Sequence, residues 1–228
     1  MSPHYKELTH DRLVSRFDEL MDDYDLGRRR EVLVDRFLGP TLRGMLVLDA
    51  GCGVGGLTRT LVAGGARVVA ADIGAKLAAE TRARCGCAAV VATLDGMGFR
   101  TGSFDAVVSS EAIEHTPDPV RAVRELFRLV KPGGSLVLST PNRLWLPPVR
   151  IASALRLRPY DGYENFLWPS TLRRALESAG GRVVEHRGIH LWPFQIEALH
   201  GASRWVDRFG GRLLPLMINQ CIHCVKPR

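Results

Sequence analysis

The chain has 228 residues, 46% of them hydrophobic and 24% charged, a balance that fits one globular domain with a sizeable core and argues against global disorder. No apolar run approaches the roughly 20 residues of a membrane-spanning helix. The start MSPHYKELTHDRL carries no apolar signal core, and five cysteines, an odd number, read as free thiols, so a cytoplasmic protein is expected. The net charge is +7, and the whole excess falls in residues 143–228, where 13 basic side chains stand against 6 acidic ones. Such a bias suits phosphates, an anionic substrate or peripheral contact with a lipid surface.

In chain order, Thr9–Leu38 carries apolar residues at helical spacing (Leu13, Phe17, Leu20 and Met21, then Val32, Leu33 and Phe37), with Gly27 expected to separate two helices. This gives an N-terminal helical cap over residues 1–40. From Met45 the period changes. The runs MLVLDA, RVVAAD, AAVVA, FDAVVSS and SLVLST read as strands, and Leu57–Val62, Lys76–Arg84 and Pro119–Val130 as the helices between them. A helix at about Ser170–Ala179 and strands near Arg182–Arg187 and Ile218–Val225 complete the pattern. Strands alternating with helices predict an α/β, doubly wound parallel sheet in a single domain spanning 1–228. Residues 143–168 and 191–215 break the alternation. They are expected to form acceptor-side inserts, a lid over the edge of the sheet where open α/β folds bind ligands.

The sharpest local signal is LVLDAGCGVGGLT. A strand ends at Asp49, glycines at 51 and 53 let the backbone turn and approach a ligand, and a helix is expected from about Val54. Asp72 ends the next strand, about 20 residues on, where a carboxylate can hold ribose hydroxyls. Asp49 is poorly placed for a diphosphate and well placed beside a cation. The phosphate-cradling G-x-x-x-x-G-K-[ST] string is missing.

DAGCGVG at 49–55, AADI at 70–73, SFDAVVSSEAIEH at 103–115 and LVKPGGSLVLSTPN at 129–142 occur in an order that resembles the class I S-adenosylmethionine (SAM) methyltransferases. The resemblance implies a Rossmann-like sheet of seven strands with the last antiparallel. It also implies SAM as cofactor, with Gly51 and Gly53 facing its methionine part, Asp49 nearby and Asp72 on the ribose. Arg29 matches the position that grips the SAM carboxylate, with Arg28 and Arg30 as competitors. Thr93 and Leu94 stand where the family places an Asp and an Ala against adenine, and Cys52, Ile73 and Ser110 complete the cofactor-binding set.

After the fourth strand comes E-x-x-E-H: Glu111, Glu114 and His115. Residues three apart share a helical face, so both carboxylates are expected to converge beside the imidazole. Such a set suits a divalent cation, Mg²⁺ or a metal tolerant of nitrogen, or alternatively a general base. The string resembles the ubiquinone-biosynthesis O-methyltransferases and the small-RNA 3′-terminal 2′-O-methyltransferases, in which it binds metal. The resemblance places Glu164 as a fourth ligand, where those RNA enzymes have a His. The expected activity is SAM-dependent O-methylation of a small aromatic or lipid-like hydroxyl acceptor, with His115 and Glu114 as catalytic residues. An RNA-terminal methyltransferase and a non-enzymatic SAM-binding protein are the alternatives. A small-molecule acceptor is the expected partner, rather than nucleic acid. The oligomeric state is left open. Cys221 and Cys224 in C-I-H-C suggest zinc, but alternate strand faces separate them, so buried thiols are expected. Trp145, Trp168, Trp192 and Trp205 read either as core or as the lining of an apolar acceptor surface.

Overall fold

The computed structural model describes residues 22–155 and 164–228. The expected helical positions Leu13, Phe17, Leu20 and Met21, and residues 156–163 of the first insert, lie outside them. Seven strands form one sheet: β1 (Leu46–Ala50), β2 (Arg67–Asp72), β3 (Ala88–Val91), β4 (Phe104–Ser110), β5 (Val130–Pro141), β6 (Arg182–Ile189) and β7 (Asn219–Val225). Their order is β3-β2-β1-β4-β5-β7-β6. β1 runs parallel to β2 and β4, β2 to β3, and β4 to β5. β7 lies antiparallel between β5 and β6. The sheet therefore has the expected doubly wound form with a reversed last strand.

Strand periodicity of two divides the core between the two faces of the sheet. Leu48, Val107, Leu136 and Leu138 pack with Val123, Leu126 and Phe127 of the helix Pro119–Leu129 and with Leu172 and Leu176 of the helix Pro169–Glu177. Val47, Val108 and Val137 point the other way, onto Leu33 and Phe37 and onto Leu57 and Leu61 of the helix Gly56–Ala63. The helix Pro119–Leu129 starts where the sequence demands: Asp118 accepts from the Arg121 N–H at 3.0 Å, and Pro119 opens the first turn. Cys221 and Cys224 fall into opposite clusters. Between them, the His223 ring stacks on Phe37 and its Nε2 pairs with the Ser135 hydroxyl at 3.1 Å. All five cysteines are free thiols, and the C-I-H-C string is strand packing.

The expected break at Gly27 does not occur. Asp22 caps a helix over Asp23–Arg30 by accepting from the Asp25 N–H at 3.0 Å. The helix then widens without interruption into a π-helical stretch, Glu31–Leu38. An interior glycine costs about 1 kcal/mol in helix propensity, which the cap and the buried face of Val32, Leu33, Val34 and Phe37 outweigh.

Short helical segments fill 197–216: Glu197–Leu199, His200–Val206, Asp207–Phe209, Gly210–Leu213 and Leu214–Leu216. They sit tight on β6 because two glycines meet there. A Cβ on Gly188 would fall 2.5 Å from the Met217 Cβ, and one on Gly210 would fall 2.3 Å from the Gly188 carbonyl oxygen. The N-terminal helix holds this segment too. Tyr24 stacks on His200 at 3.6 Å between ring centroids and donates to the His200 carbonyl at 3.0 Å. Arg28 donates to Asp207 at 2.9 and 3.1 Å, and Arg204 pairs with Glu31. Trp145, from the first insert, donates to the Leu216 carbonyl at 3.0 Å. The first insert thus reaches the residue just past the second, while Trp168 and Trp205 stay about half exposed.

Candidate active site

The strand order reverses between β1 and β4, and their carboxyl ends open the crevice where α/β sheets bind ligands. After Ala50 the chain turns through Gly51, Gly53 and Gly55, each at positive φ. At Gly51 the requirement is double: φ is +81°, and a Cβ would lie 2.4 Å from the Ala112 Cβ. The Asp72 carboxylate braces the turn, accepting from the N–H of Gly53 and of Gly74, both at 2.9 Å. Thr81 donates to the Gly53 carbonyl at 2.7 Å. Asp49 is buried behind the turn, accepts from the Thr58 hydroxyl at 2.5 Å, and is pushed up to about 6, by burial first and then by the charge of Asp72. Burial also holds the Cys52 thiol protonated, which fits a packing residue. Leu94 reaches the turn, its Cδ1 4.0 Å from where a Gly51 Cβ would stand. The Thr93 segment is closed by a bridge to Gly96.

Of the three arginines, Arg29 is the one aimed at the crevice. Arg28 is taken by Asp207 and Glu31, and Arg30 is half exposed near Asp35. Arg29 is buried, donates from Nη1 to the Ser110 hydroxyl at 2.9 Å, and pairs through Nη2 with Asp25 at 2.7 Å. Burial opposes its charge, but Asp25 and Glu111 hold the guanidinium protonated. Its Nε is buried with no acceptor. A SAM carboxylate fits this cation. The fixed Asp72 carboxylate at the end of β2 fits the ribose of that molecule.

Glu111 corrects the expected helical face. It sits at φ +50°, outside any helix, and only Ile113–His115 forms a short 3₁₀ turn. The two carboxyls take different partners. Glu111 Oε2 accepts from Asn219 Nδ2 at 2.6 Å, whereas Glu114 Oε2 accepts from the Thr140 hydroxyl at 3.0 Å. Both carboxyls are pushed up, by burial first. Glu111 is raised further by Glu114, and Glu114 by the charge of Glu164. His115 is part-exposed, its Nε2 4.0 Å from Glu114 Oε1. Among the described residues no three His, Cys, Asp or Glu side chains are grouped to hold a metal ion. Glu111, Glu114, His115 and Glu164 are therefore not gathered as a ligand set, and Glu111 is held by Asn219 instead. Asn219 and Thr140 went unnoticed in the sequence: their partners are 108 and 26 residues away, and no local pattern links them.

A methyltransferase domain model matches residues 48–138. The ubiquinone biosynthesis O-methyltransferase of Xanthomonas oryzae pv. oryzae is 35% identical over 172 residues, 69% of this chain and 71% of that protein. The chain belongs to the class I SAM-dependent methyltransferases. Solved methyltransferases share its fold. One from Haloferax volcanii, in complex with the Trm112 methyltransferase activator, superposes with a TM-score of 0.69 at 21% identity, covering 96% of this chain and 98% of that one. The magnesium protoporphyrin IX methyltransferase of Synechocystis, with bound SAH, gives a TM-score of 0.63 at 19% identity over 89% of this chain and 84% of that one. This methyltransferase has no helix, among its described residues, long and apolar enough to cross a membrane.

Proposed function

We propose that this methyltransferase transfers the methyl group of SAM to a hydroxyl of a small aromatic or lipid-like acceptor, with His115 as general base. One observation carries the reading: a part-exposed imidazole stands beside a buried carboxyl group at the carboxyl end of β4, the strand whose Ser110 holds Arg29. The relatives named as ubiquinone biosynthesis O-methyltransferases support oxygen as the accepting atom.

The cofactor is held by Arg29 on its carboxylate, Asp72 on its ribose, and the Gly51–Gly53 turn, with Asp49 behind the turn and Cys52, Ile73, Thr93 and Leu94 around it. The acceptor oxygen attacks the methyl carbon in line with the breaking carbon–sulfur bond, and the sulfonium leaves as a neutral thioether. The hydroxyl proton passes to the imidazole of His115. Alignment supplies much of the rate, and the base contributes roughly 10²–10⁴-fold. Glu114 orients the ring. Its own position is set by Thr140 and by the Asn165 N–H, which donates to the Glu114 carbonyl at 2.9 Å.

The test is transfer of labelled methyl from SAM to a catechol bearing an apolar tail, in the presence of EDTA. Wild-type enzyme is expected to methylate it. His115→Ala should lose roughly 10²–10⁴-fold in kcat and bind S-adenosylhomocysteine as before. Full activity of His115→Ala would remove the base from this site. Loss of wild-type activity in EDTA, restored by Mg²⁺, would replace the base by a metal.

A further inference from the structure

A buried polar chain runs from the second insert to Arg29, and the reaction above leaves it unused. His190 follows β6, is fully buried, and adopts φ +62°, a left-handed conformation uncommon outside glycine, though His, like Asn and Asp, takes it more readily than other residues. Something must over-determine that conformation. Asp207 does so on the main chain, accepting from the His190 N–H at 2.9 Å while its other oxygen holds Arg28. The His190 carbonyl accepts from the Ile218 N–H at 2.8 Å. The strained backbone aims the side chain back at the N-terminal helix. There Nε2 meets Asp25 Oδ1 at 3.0 Å, and Asp25 Oδ2 meets Arg29 Nη2 at 2.7 Å. Tyr24 and Phe194 flank the imidazole, at 5.7 and 5.1 Å between ring centroids. His190 Nδ1 is buried with no partner, so the ring makes one hydrogen bond, and it makes that bond to Asp25.

We propose that His190 is a positioning residue for the cofactor: by fixing Asp25 it fixes the guanidinium of Arg29, and so sets the grip on the carboxylate of SAM. The geometry favours this over a space-filling role. A guanidinium on a long side chain has many rotamers, and its orientation here is set from two sides, by Ser110 and by Asp25. Asp25 is itself a helix side chain with one oxygen committed to Arg29, and His190 holds the other. Without the imidazole the carboxylate is free to rotate and Arg29 loses one of its two anchors. The inference rests on Arg29 meeting the SAM carboxylate, as proposed above.

The test compares two ligands by calorimetry: S-adenosylhomocysteine, which carries the carboxylate, and 5′-methylthioadenosine, which lacks the whole amino-acid part. His190→Asn is the informative variant. Asn tolerates positive φ, so the backbone survives, but its side chain is too short to reach Asp25. It should weaken S-adenosylhomocysteine roughly tenfold, the scale of one charge-assisted hydrogen bond, and leave methylthioadenosine as in wild type. In turnover the loss should appear in KM for SAM rather than in kcat. His190→Gln, with an amide nitrogen at about the reach of Nε2, should recover most of the affinity. Asp25→Asn, which keeps the shape and removes the charge, should repeat the pattern of His190→Asn. Equal loss of both ligands, or loss of neither, would overturn the proposal. Arg29→Met serves as the control on the premise. If it weakens both ligands alike, or neither, Arg29 does not meet the carboxylate, and that failure is distinct from one in which Arg29→Met is selective and His190→Asn is not.

Discussion

The two halves of the crevice are built differently. On the cofactor side, β1, the glycine turn and β2 come from one stretch of 27 residues, 46–72, and brace each other through backbone N–H groups. The Asp72 carboxylate accepts from Gly53 and Gly74, and the Gly51 and Cys52 N–H groups both donate to the Ala71 carbonyl. On the acceptor side, side chains from distant segments converge. Glu111 meets Asn219, Glu114 meets Thr140, and Asn142 donates to the carbonyls of Leu214 and Pro215. A site made of local backbone is set by a few glycines and one acid. A site made of long-range side-chain pairs can be retuned one residue at a time.

Substitutions can break or sharpen this contrast. The largest effect is expected at Gly51. Gly51→Ala combines a left-handed backbone with a Cβ 2.4 Å from Ala112 and should cost about 2–4 kcal/mol of stability, read as a lower melting temperature together with lost SAM binding. Asp72→Ala should weaken S-adenosylhomocysteine by roughly 1–3 kcal/mol. Unchanged affinity would remove Asp72 from the ribose. Glu114→Gln, on the other side, should lower kcat by about tenfold through a mispositioned His115 and leave cofactor affinity intact. If it disturbs both, the halves are not independent.

A smaller effect is a pH dependence. Asp49 has its carboxyl raised from 3.8 to about 6 by burial. Its contribution to folding is therefore present below about pH 4 and is lost as pH rises through 6. A cationic ligand favours the ionised form, so SAM affinity should rise between pH 5 and 7. Calorimetry near pH 6 in two buffers of different ionisation enthalpy should show protons released on binding. Asp49→Asn should abolish that release. The smallest change is expected for Trp205→Ser, because Trp205 is 58% exposed. Stability should move by no more than about 0.5 kcal/mol, and a raised acceptor KM would place Trp205 on the acceptor surface.

The same contrast explains what was legible in the sequence. RVVAAD and FDAVVSS coincide with β2 and β4 residue for residue, because apolar runs bounded by polar residues state both period and length. Asp49 and Asp72 lie at the ends of β1 and β2, with Gly51 in the turn after Ala50, because strand, glycine turn and strand are written in one local stretch. Glu111 was misjudged because spacing of three implies one face only inside a helix, and its φ of +50° is set by what surrounds it. Gly27 reads locally as a break, but the Asp22 cap and the buried face beyond it count for more than one residue's propensity. Asn219, Thr140 and His190 carry no local signature. Their roles come from partners far along the chain, His190 from Asp25, 165 residues away.

The position of β7 between β5 and β6 has a consequence for synthesis. β6 pairs with β7 and with no other strand of the sheet, so residues 182–189 have no neighbour to zip onto when they leave the ribosome. The first five strands can assemble in order as they emerge, but the sixth waits until 219–225 follow. During that interval the β5 edge and the amphipathic segment from 197 to 216 are both uncovered, an arrangement that favours chaperone capture or aggregation of the nascent chain. A stop codon placed just before Asn219 would accordingly cost the sheet two strands rather than one, because it removes β7 and leaves β6 unpaired.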